Sequence, residues 1–225
     1  MLGKTQGICI NRYVPDYTVF DLETTGISCI CDNIIEISAV KVRGGVITDS
    51  FSCLVNPERP IPYRASQINH ITDEMVADEP DIREVLPEFL NFLGDDVLVG
   101  HNISGFDMKF LYRDCEKYFQ CVPGNDYVDT LKLARVTLSG LPNYRLTTLA
   151  EHYRLSTHGA HRALNDCRMN QQVFEFLGKE ACVSPSPSCG KCPRCGAPLK
   201  KRMGKFGPFL GCTGFPICRY TENCR

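Results

Sequence analysis

A chain of 225 residues, 43% of them hydrophobic, has material for one ordinary domain and a small appendix. No run approaches the roughly 18 apolar residues of a membrane span, and the first thirteen residues show neither a signal-peptide core nor an Arg-rich transit character, so a soluble, cytoplasmic protein with no membrane partner is expected. The formal net charge of −1 hides an asymmetry, because from Val183 onward eight basic residues face the single acid Glu222, leaving the preceding body acidic. Such a balance fits an enzyme that works on a polyanion and holds it with a separate basic module. Fourteen cysteines are scattered through a chain that can build a core without staples, which points to free thiols plus one metal site.

In chain order, the first strong element is Tyr17 to Leu22, β-rich and broken at Gly26. It reads as a buried strand whose far end, within Val19-Phe20-Asp21-Leu22-Glu23-Thr24-Thr25-Gly26, carries two acids on one face, since side chains two apart on a strand share a side. At about 4 Å and an effective dielectric of about 20, two carboxylates repel by roughly 4 kcal/mol, so a buried pair needs a proton or a hard divalent cation. Ile34 to Arg43 alternates, and Gly44-Gly45 turns it into Val46 to Val55, giving three antiparallel strands. Pro57, Pro60 and Pro62 mark a surface loop, Thr72-Asp73-Glu74 caps a short helix, and Asp81 to Leu93 repeats apolar residues at helical spacing. Asp96 to Gly100 is a short buried strand, followed by a helix through Phe110, Leu111, Cys115 and Phe119. Tyr127 to Leu131 is a further strand running into Leu133 to Val136, and helices are expected over Arg145 to His152 and Ala163 to Leu177. A meander followed by alternating strands and helices implies an α/β protein with a mixed sheet flanked by helices. Val183 to Lys191 is Pro/Ser-rich and reads as a linker.

Two more acidic motifs follow the first. Gly100-His101-Asn102-Ile103-Ser104-Gly105-Phe106-Asp107 comes directly after a strand and opens a helix. In Ala160-His161-Arg162-Ala163-Leu164-Asn165-Asp166, one continuous helix would set His161 and Asp166 roughly 140° apart. His161 is therefore placed in the loop entering the helix, with Asp166 in its first turns. Taken in order, the three segments resemble the motifs of the DnaQ-like DEDD exonucleases, and the His in the third assigns the resemblance to the DEDDh branch, which includes proofreading subunits such as the epsilon subunit of DNA polymerase III.

That resemblance implies a ribonuclease H-like domain over residues 1–182 and a metal-dependent 3′-5′ exonuclease that releases mononucleotides. It carries Asp21, Glu23, Asp107 and Asp166 over as ligands of two Mg²⁺ or Mn²⁺, and His161 as the group that takes a proton from the attacking water. Thr24 and the segment Ile68-Asn69 match positions that hold the terminal nucleotide, with Asn69 standing where a His is often found. Gly105 adds one residue to the usual H-N-x-x-F-D spacing, which a turn absorbs at little steric cost. Phe106 reads equally as a stacking neighbour of the substrate and as core packing.

The tail carries Cys192-Pro193-Arg194-Cys195 and, sixteen residues on, Cys212 with Cys218. Four thiolates at this spacing close tetrahedrally on one Zn²⁺. Cys189 and Cys224 leave the ligand set open, with Cys192 and Cys195 preferred over Cys189 because it falls in the linker. The stretch Lys200 to Cys218, with Arg219-Tyr220, resembles the zinc ribbon of bacterial type IA topoisomerases, which implies a zinc-ribbon, nucleic-acid-binding domain over residues 192–225. Phe206, Phe209, Phe215 and Tyr220 interleave with Lys200, Lys201, Arg202 and Lys205, as on a surface that stacks bases beside phosphates, although each Phe also fits a mini-core. DNA, as single strands or 3′ ends, is the expected partner, with a DNA polymerase or repair protein as a further one. The rival readings are an exoribonuclease trimming RNA 3′ ends and a catalytically silent nucleic-acid or polymerase-binding module.

Overall fold

The computed structural model describes residues 2–3, 5–157, 162–183, 190–204, 207–215 and 218–223. The chain divides into two compact units, Met1–Gly178 and Lys179–Arg225. In the first, β1 (Leu2–Gly3) and β2 (Cys9–Ile10) precede β3 (Asp16–Thr24), β4 (Ile34–Arg43) and β5 (Val46–Leu54). Then come α1 (Tyr63–Asn69), α2 (Asp73–Val76), α3 (Ile82–Leu93), β6 (Leu98–Gly100), α4 (Asp107–Phe119), β7 (Val122–Pro123) and β8 (Tyr127–Asp129). Three helices follow: α5 (Thr130–Thr137), α6 (Leu146–His152) and α7 (Ala163–Val183), the last running past Gly178.

A six-stranded sheet in the order β2-β8-β6-β3-β4-β5 organises this unit. β3, β4 and β5 form the expected antiparallel meander, while β6 lies parallel to β3 and β8 parallel to β6. The turn between β4 and β5 places both Gly44 and Gly45 at positive φ, 56° and 82°, the backbone that matches strand twist in a two-residue hairpin. One face of the sheet buries Phe20, Leu22, Ile37 and Leu98 against Phe89 of α3 and Phe110 and Leu111 of α4. The other buries Tyr17, Val19, Val40 and Val42 against Leu133 of α5, Leu149 of α6 and Val173 and Phe174 of α7. The result is the mixed α/β sheet with flanking helices anticipated from sequence.

Side-chain caps start two of the helices. Asp81 caps α3 by accepting the Arg83 N–H at 2.7 Å, and Asp129 caps α5 by accepting from Leu131 N and Lys132 N. Pro87 lies inside α3 without ending it. An interior proline costs about 3 kcal/mol, and here Val85, Leu86, Phe89 and Leu93 are all buried on the same helix, an offset of the right order.

Three segments differ from expectation. The proline-marked loop contains α1, which starts directly after Pro62, because a proline ahead of a helix removes only an N–H that would have no partner there. Leu133 to Val136 is helical rather than a continuation of the β8 strand, since the Asp129 side chain takes up the first free N–H groups and starts α5 at Thr130. Thr72 holds the N-cap position of α2 without a side-chain bond, and Asp73 instead accepts the Ile61 N–H at 2.8 Å.

The second unit has β9 (Leu199–Gly204), β10 (Gly207–Cys212) and β11 (Thr221–Asn223) in one antiparallel sheet. Gly190 and Lys191, expected in the linker, belong to its knuckle: Leu199 N donates to the Gly190 carbonyl, and Lys191 bridges to Pro198. Its buried cluster is small, made of Cys192, Leu199, Cys212 and Cys218 with Ala197, Leu210 and Tyr220 against it. Among the described residues no helix is long and apolar enough to cross a membrane.

Candidate active site

The β3 strand delivers the first two acids. Tyr17 and Val19 face the α5–α7 side of the sheet, so Asp21 and Glu23, continuing that alternation, project toward α7. Asp166 lies in the first turn of α7, and Asp21, Glu23 and Asp166 each bring a carboxyl oxygen within 4.8 Å of the others. Asp107 opens α4 from the opposite face. Its carboxyl stands outside that mutual set, buried beside the strand, where Oδ1 accepts the Leu22 N–H at 3.2 Å.

The extra residue in the second motif is accommodated by a tight turn. Asn102 sits at φ 60°, and a Cβ on Gly105 would lie 2.5 Å from the Asn102 side-chain oxygen, so any larger residue would have to displace that side chain. The buried Asp129 carboxylate clamps this turn, accepting Asn102 N, Ser104 N and Ser104 Oγ.

Crowding shows in the electrostatics. Burial, and then the charges of Asp107, Asp166 and Glu23, pushes Asp21 well above the usual carboxylate range. Burial followed by the charges of Asp166, Glu36 and Asp107 pushes Glu23 up to about 8. Asp107 is pushed up to about 7 by burial, against the opposing pull of the Asp107 and Leu22 backbone N–H groups. Acids held this way accept protons unless a cation takes the protons' place.

Two carboxylates that support the site escape a reading of the sequence alone. Glu36, buried on β4 directly across from Glu23, accepts the Ala163 N–H at 3.2 Å and pairs with Arg162 at 3.1 Å. It thereby fixes the first turn of the helix that carries Asp166. A lone acid within the otherwise apolar run Ile34-Ile35-Glu36-Ile37 was the available signal. Asp129 ends a strand and begins a helix at once, a role visible only when the strand end is known.

The remaining candidates divide. The Thr24 hydroxyl donates to the Gly26 carbonyl at 2.6 Å. Asn69 is buried, donating to the Thr24 carbonyl at 3.4 Å and accepting the Ile71 N–H, so it braces the end of β3. Ile68, on the same helix, is 58% exposed. Phe106 packs on the core, its ring 5.0 Å from that of Phe110. His161 lies outside the described residues, as do Cys189, Lys205, Phe206 and Cys224.

In the second unit the Sγ atoms of Cys192, Cys195, Cys212 and Cys218 also lie within 4.8 Å of one another, with Cys192 to Cys218 at 3.6 Å and Cys195 to Cys212 at 3.3 Å. Bonds of about 2.3 Å from a tetrahedral Zn²⁺ set sulfurs roughly 3.8 Å apart, close to these separations. A cleft of about 430 Å³ is lined by Arg202, Phe209, Phe215, Arg219 and Tyr220. Phe209 and Phe215 lie outside the buried cluster, whereas Tyr220 packs against it.

Comparison with known proteins agrees with this geometry. The sequence pattern of the family described as "Exonuclease" matches residues 18–174, the whole span from β3 into α7. The chain belongs to the exonuclease family. The resemblance to DnaQ-like exonucleases is thereby upheld. The pattern described as "Topoisomerase DNA binding C4 zinc finger" matches residues 189–225. The DNA polymerase III subunit epsilon of Aquifex aeolicus is 41% identical over 158 residues, 70% of this chain and 78% of that protein. DNA polymerase III PolC-type of Oceanobacillus iheyensis is 42% identical over 156 residues, and the matched part is 69% of this chain but only 11% of that protein. A solved structure, Exonuclease X in complex with 5′ overhanging duplex DNA, is 30% identical with a TM-score of 0.58, covering 75% of this chain and 93% of that one.

Proposed function

We propose that this chain is a 3′-5′ exonuclease acting on DNA, of proofreading or repair type, built from an exonuclease domain over residues 1–182 and a zinc ribbon over 192–225 that holds single-stranded nucleic acid. The observation that carries the reading is the approach of Asp21, Glu23 and Asp166 to within 4.8 Å from two distant parts of the chain, with Asp107 at hydrogen-bond distance from the intervening Leu22. The donor set fits hard cations, because it consists of carboxylate oxygens whose protons are held by burial and mutual repulsion. Asp21, Glu23, Asp107 and Asp166 would hold two Mg²⁺ or Mn²⁺. Such ions, when bound, neutralise the phosphodiester, acidify a water and stabilise the leaving oxygen.

The chain's own groups do the rest. Thr24 and Ile68 flank the place of the 3′-terminal nucleotide, with Asn69 bracing Thr24 from behind. His161 takes the proton as water attacks phosphorus. The bond to the 3′-oxygen of the preceding nucleotide then breaks, and that oxygen leaves on the shortened strand with a proton. Cys192, Cys195, Cys212 and Cys218 would hold one Zn²⁺, whose role is to fold the ribbon. The polymerase relatives and the absence of disulfides among the described cysteines support a cytoplasmic protein that serves a DNA polymerase or repair partner.

The deciding experiment is degradation of 3′- and 5′-labelled DNA and RNA oligomers with and without Mg²⁺. Mg²⁺-dependent release of 5′-mononucleotides from DNA 3′ ends is expected. Faster cleavage of matched RNA would replace DNA by RNA as the substrate, and inertness toward both would reject the enzyme reading in favour of a silent binding module.

A further inference from the structure

A cleft of about 600 Å³ opens beside the acids. Asp21 and Asp166 share its lining with Leu131, Arg135, Tyr144 and Arg145. Arg135 projects from the last turn of α5, close enough to His101 for its charge to act on that imidazole, and Arg145 stands at the N-cap of α6. Four other arginines of this unit are tied to carboxylates: Arg43 to Asp96, Arg83 to Asp81, Arg113 to Asp114 and Arg162 to Glu36. Among the described residues, Arg135 and Arg145 have no carboxylate partner, and both are exposed.

The loop that carries Arg145 is nevertheless held firmly. Asn143 Oδ1 accepts Arg145 N at 3.0 Å and the Thr148 hydroxyl at 2.7 Å, while the Tyr144 hydroxyl donates to the Leu138 carbonyl at 3.1 Å. On the cleft floor, His101 Nδ1 and Thr130 Oγ1 are 3.1 Å apart, and Thr130 Oγ1 is 2.8 Å from the buried Asn170 side chain. Thr24, Ile68 and Asn69, assigned to the terminal nucleotide, are not among its lining residues.

We propose that Arg135 and Arg145 grip the phosphates of the strand on the 5′ side of the scissile bond, with Tyr144 against a sugar or base, so that this cleft makes the enzyme recognise a chain rather than a single nucleotide. Planar guanidinium forks suit phosphate oxygens, and positive charge is needed most where a polyanion must run beside a cluster of acids. The inference rests on the exonuclease reading and adds two substrate-positioning residues to it.

The test uses the full-length, zinc-loaded protein and two substrates. The p-nitrophenyl ester of thymidine 5′-phosphate carries a terminal nucleotide and a scissile phosphate but nothing upstream, whereas a single-stranded DNA ten-mer carries both. For R135A/R145A, kcat/KM on the ten-mer is expected to fall at least about ten-fold, mainly through KM. Its logarithmic salt dependence should flatten by about 1.4, or about 0.7 for each phosphate that an arginine no longer neutralises. Hydrolysis of the ester should stay within about two-fold of wild type. R135K/R145K, which keeps the charges, should restore most of the salt dependence. An unchanged ten-mer, or a ten-mer and ester that fall together, would overturn the proposal. A wild-type protein inert toward both substrates would reject the exonuclease reading itself, an outcome distinct from either.

Discussion

The carboxylates around Asp21 and the thiols around Cys192 are both tight clusters of donor atoms, yet they stand on very different foundations. The acids are drawn together from β3 and α7 by a sheet packed on both faces, with Glu36 and Asp129 bonded to the backbone that supports them. The thiols come from two knuckles on a fragment whose buried cluster holds Leu199 and little else that is apolar apart from the sulfurs. The first has a core of its own on which the acids' repulsion is loaded; the second has a core so small that the proposed zinc would have to supply most of its stability. On the proposed reading, cations in the first serve chemistry and in the second they serve architecture.

The largest effect that could break this contrast is zinc removal. Chelation or Cys212→Ser should cost the ribbon an apparent metal-binding energy of roughly 10 to 16 kcal/mol, so that hydrogen exchange finds β9–β11 unprotected while β3 and α3 keep their protection. Loss of protection in β3 as well would mean the two foundations are not separate. Next in size, Asp21→Ala and Asp166→Ala should each lower hydrolysis by roughly 1,000-fold or more, about 4 kcal/mol in barrier, and His161→Ala should be strongly impaired. All three should retain the wild-type circular dichroism spectrum.

A pH titration sharpens the contrast further. Glu23 and Asp107, raised to about 8 and about 7, keep protons in the folded state that the unfolded chain releases near pH 4. The folded, metal-free protein therefore binds more protons than the unfolded one across that interval. This contribution to stability is full at low pH and disappears as pH rises through 7 to 8. In a chelator that spares zinc, the melting temperature of the first unit should be lower at pH 8 than at pH 6, and Mg²⁺ should restore it at pH 8. A melting temperature that rises with pH without Mg²⁺ would show the acids are not under mutual strain. The smallest effect concerns the tail: deleting residues 183–225 should weaken DNA binding and flatten its salt dependence while keeping turnover at saturating substrate, and equal affinity would remove the ribbon from the binding surface.

Much of this was readable from the chain because periodicity is local. The acids two apart on β3 marked one face of that strand without knowledge of the neighbours, whereas the alternation expected over Ile34 to Arg43 marked a strand but not its faces, because β4 is buried on both sides. Legibility failed where one side chain acts on a remote backbone. The Asp129 carboxylate starts α5 where β-branched and apolar residues suggested more strand, and Pro62 begins α1 within what read as a loop. Glu36 was hidden for the same reason, since its partners Arg162 and Ala163 lie more than 120 residues away. That Asn69 is buried against Thr24 was likewise not legible, since it depends on where α1 lies against the end of β3.

The most direct measurement is a calorimetric titration of Mn²⁺ into zinc-loaded protein with a thymidine 5′-phosphate product bound. The account predicts two Mn²⁺ per chain for wild type, at most one for Asp21→Asn, and one retained Zn²⁺ in both. Two Mn²⁺ bound undiminished by Asp21→Asn would contradict the claim that these distant acids share a cation site.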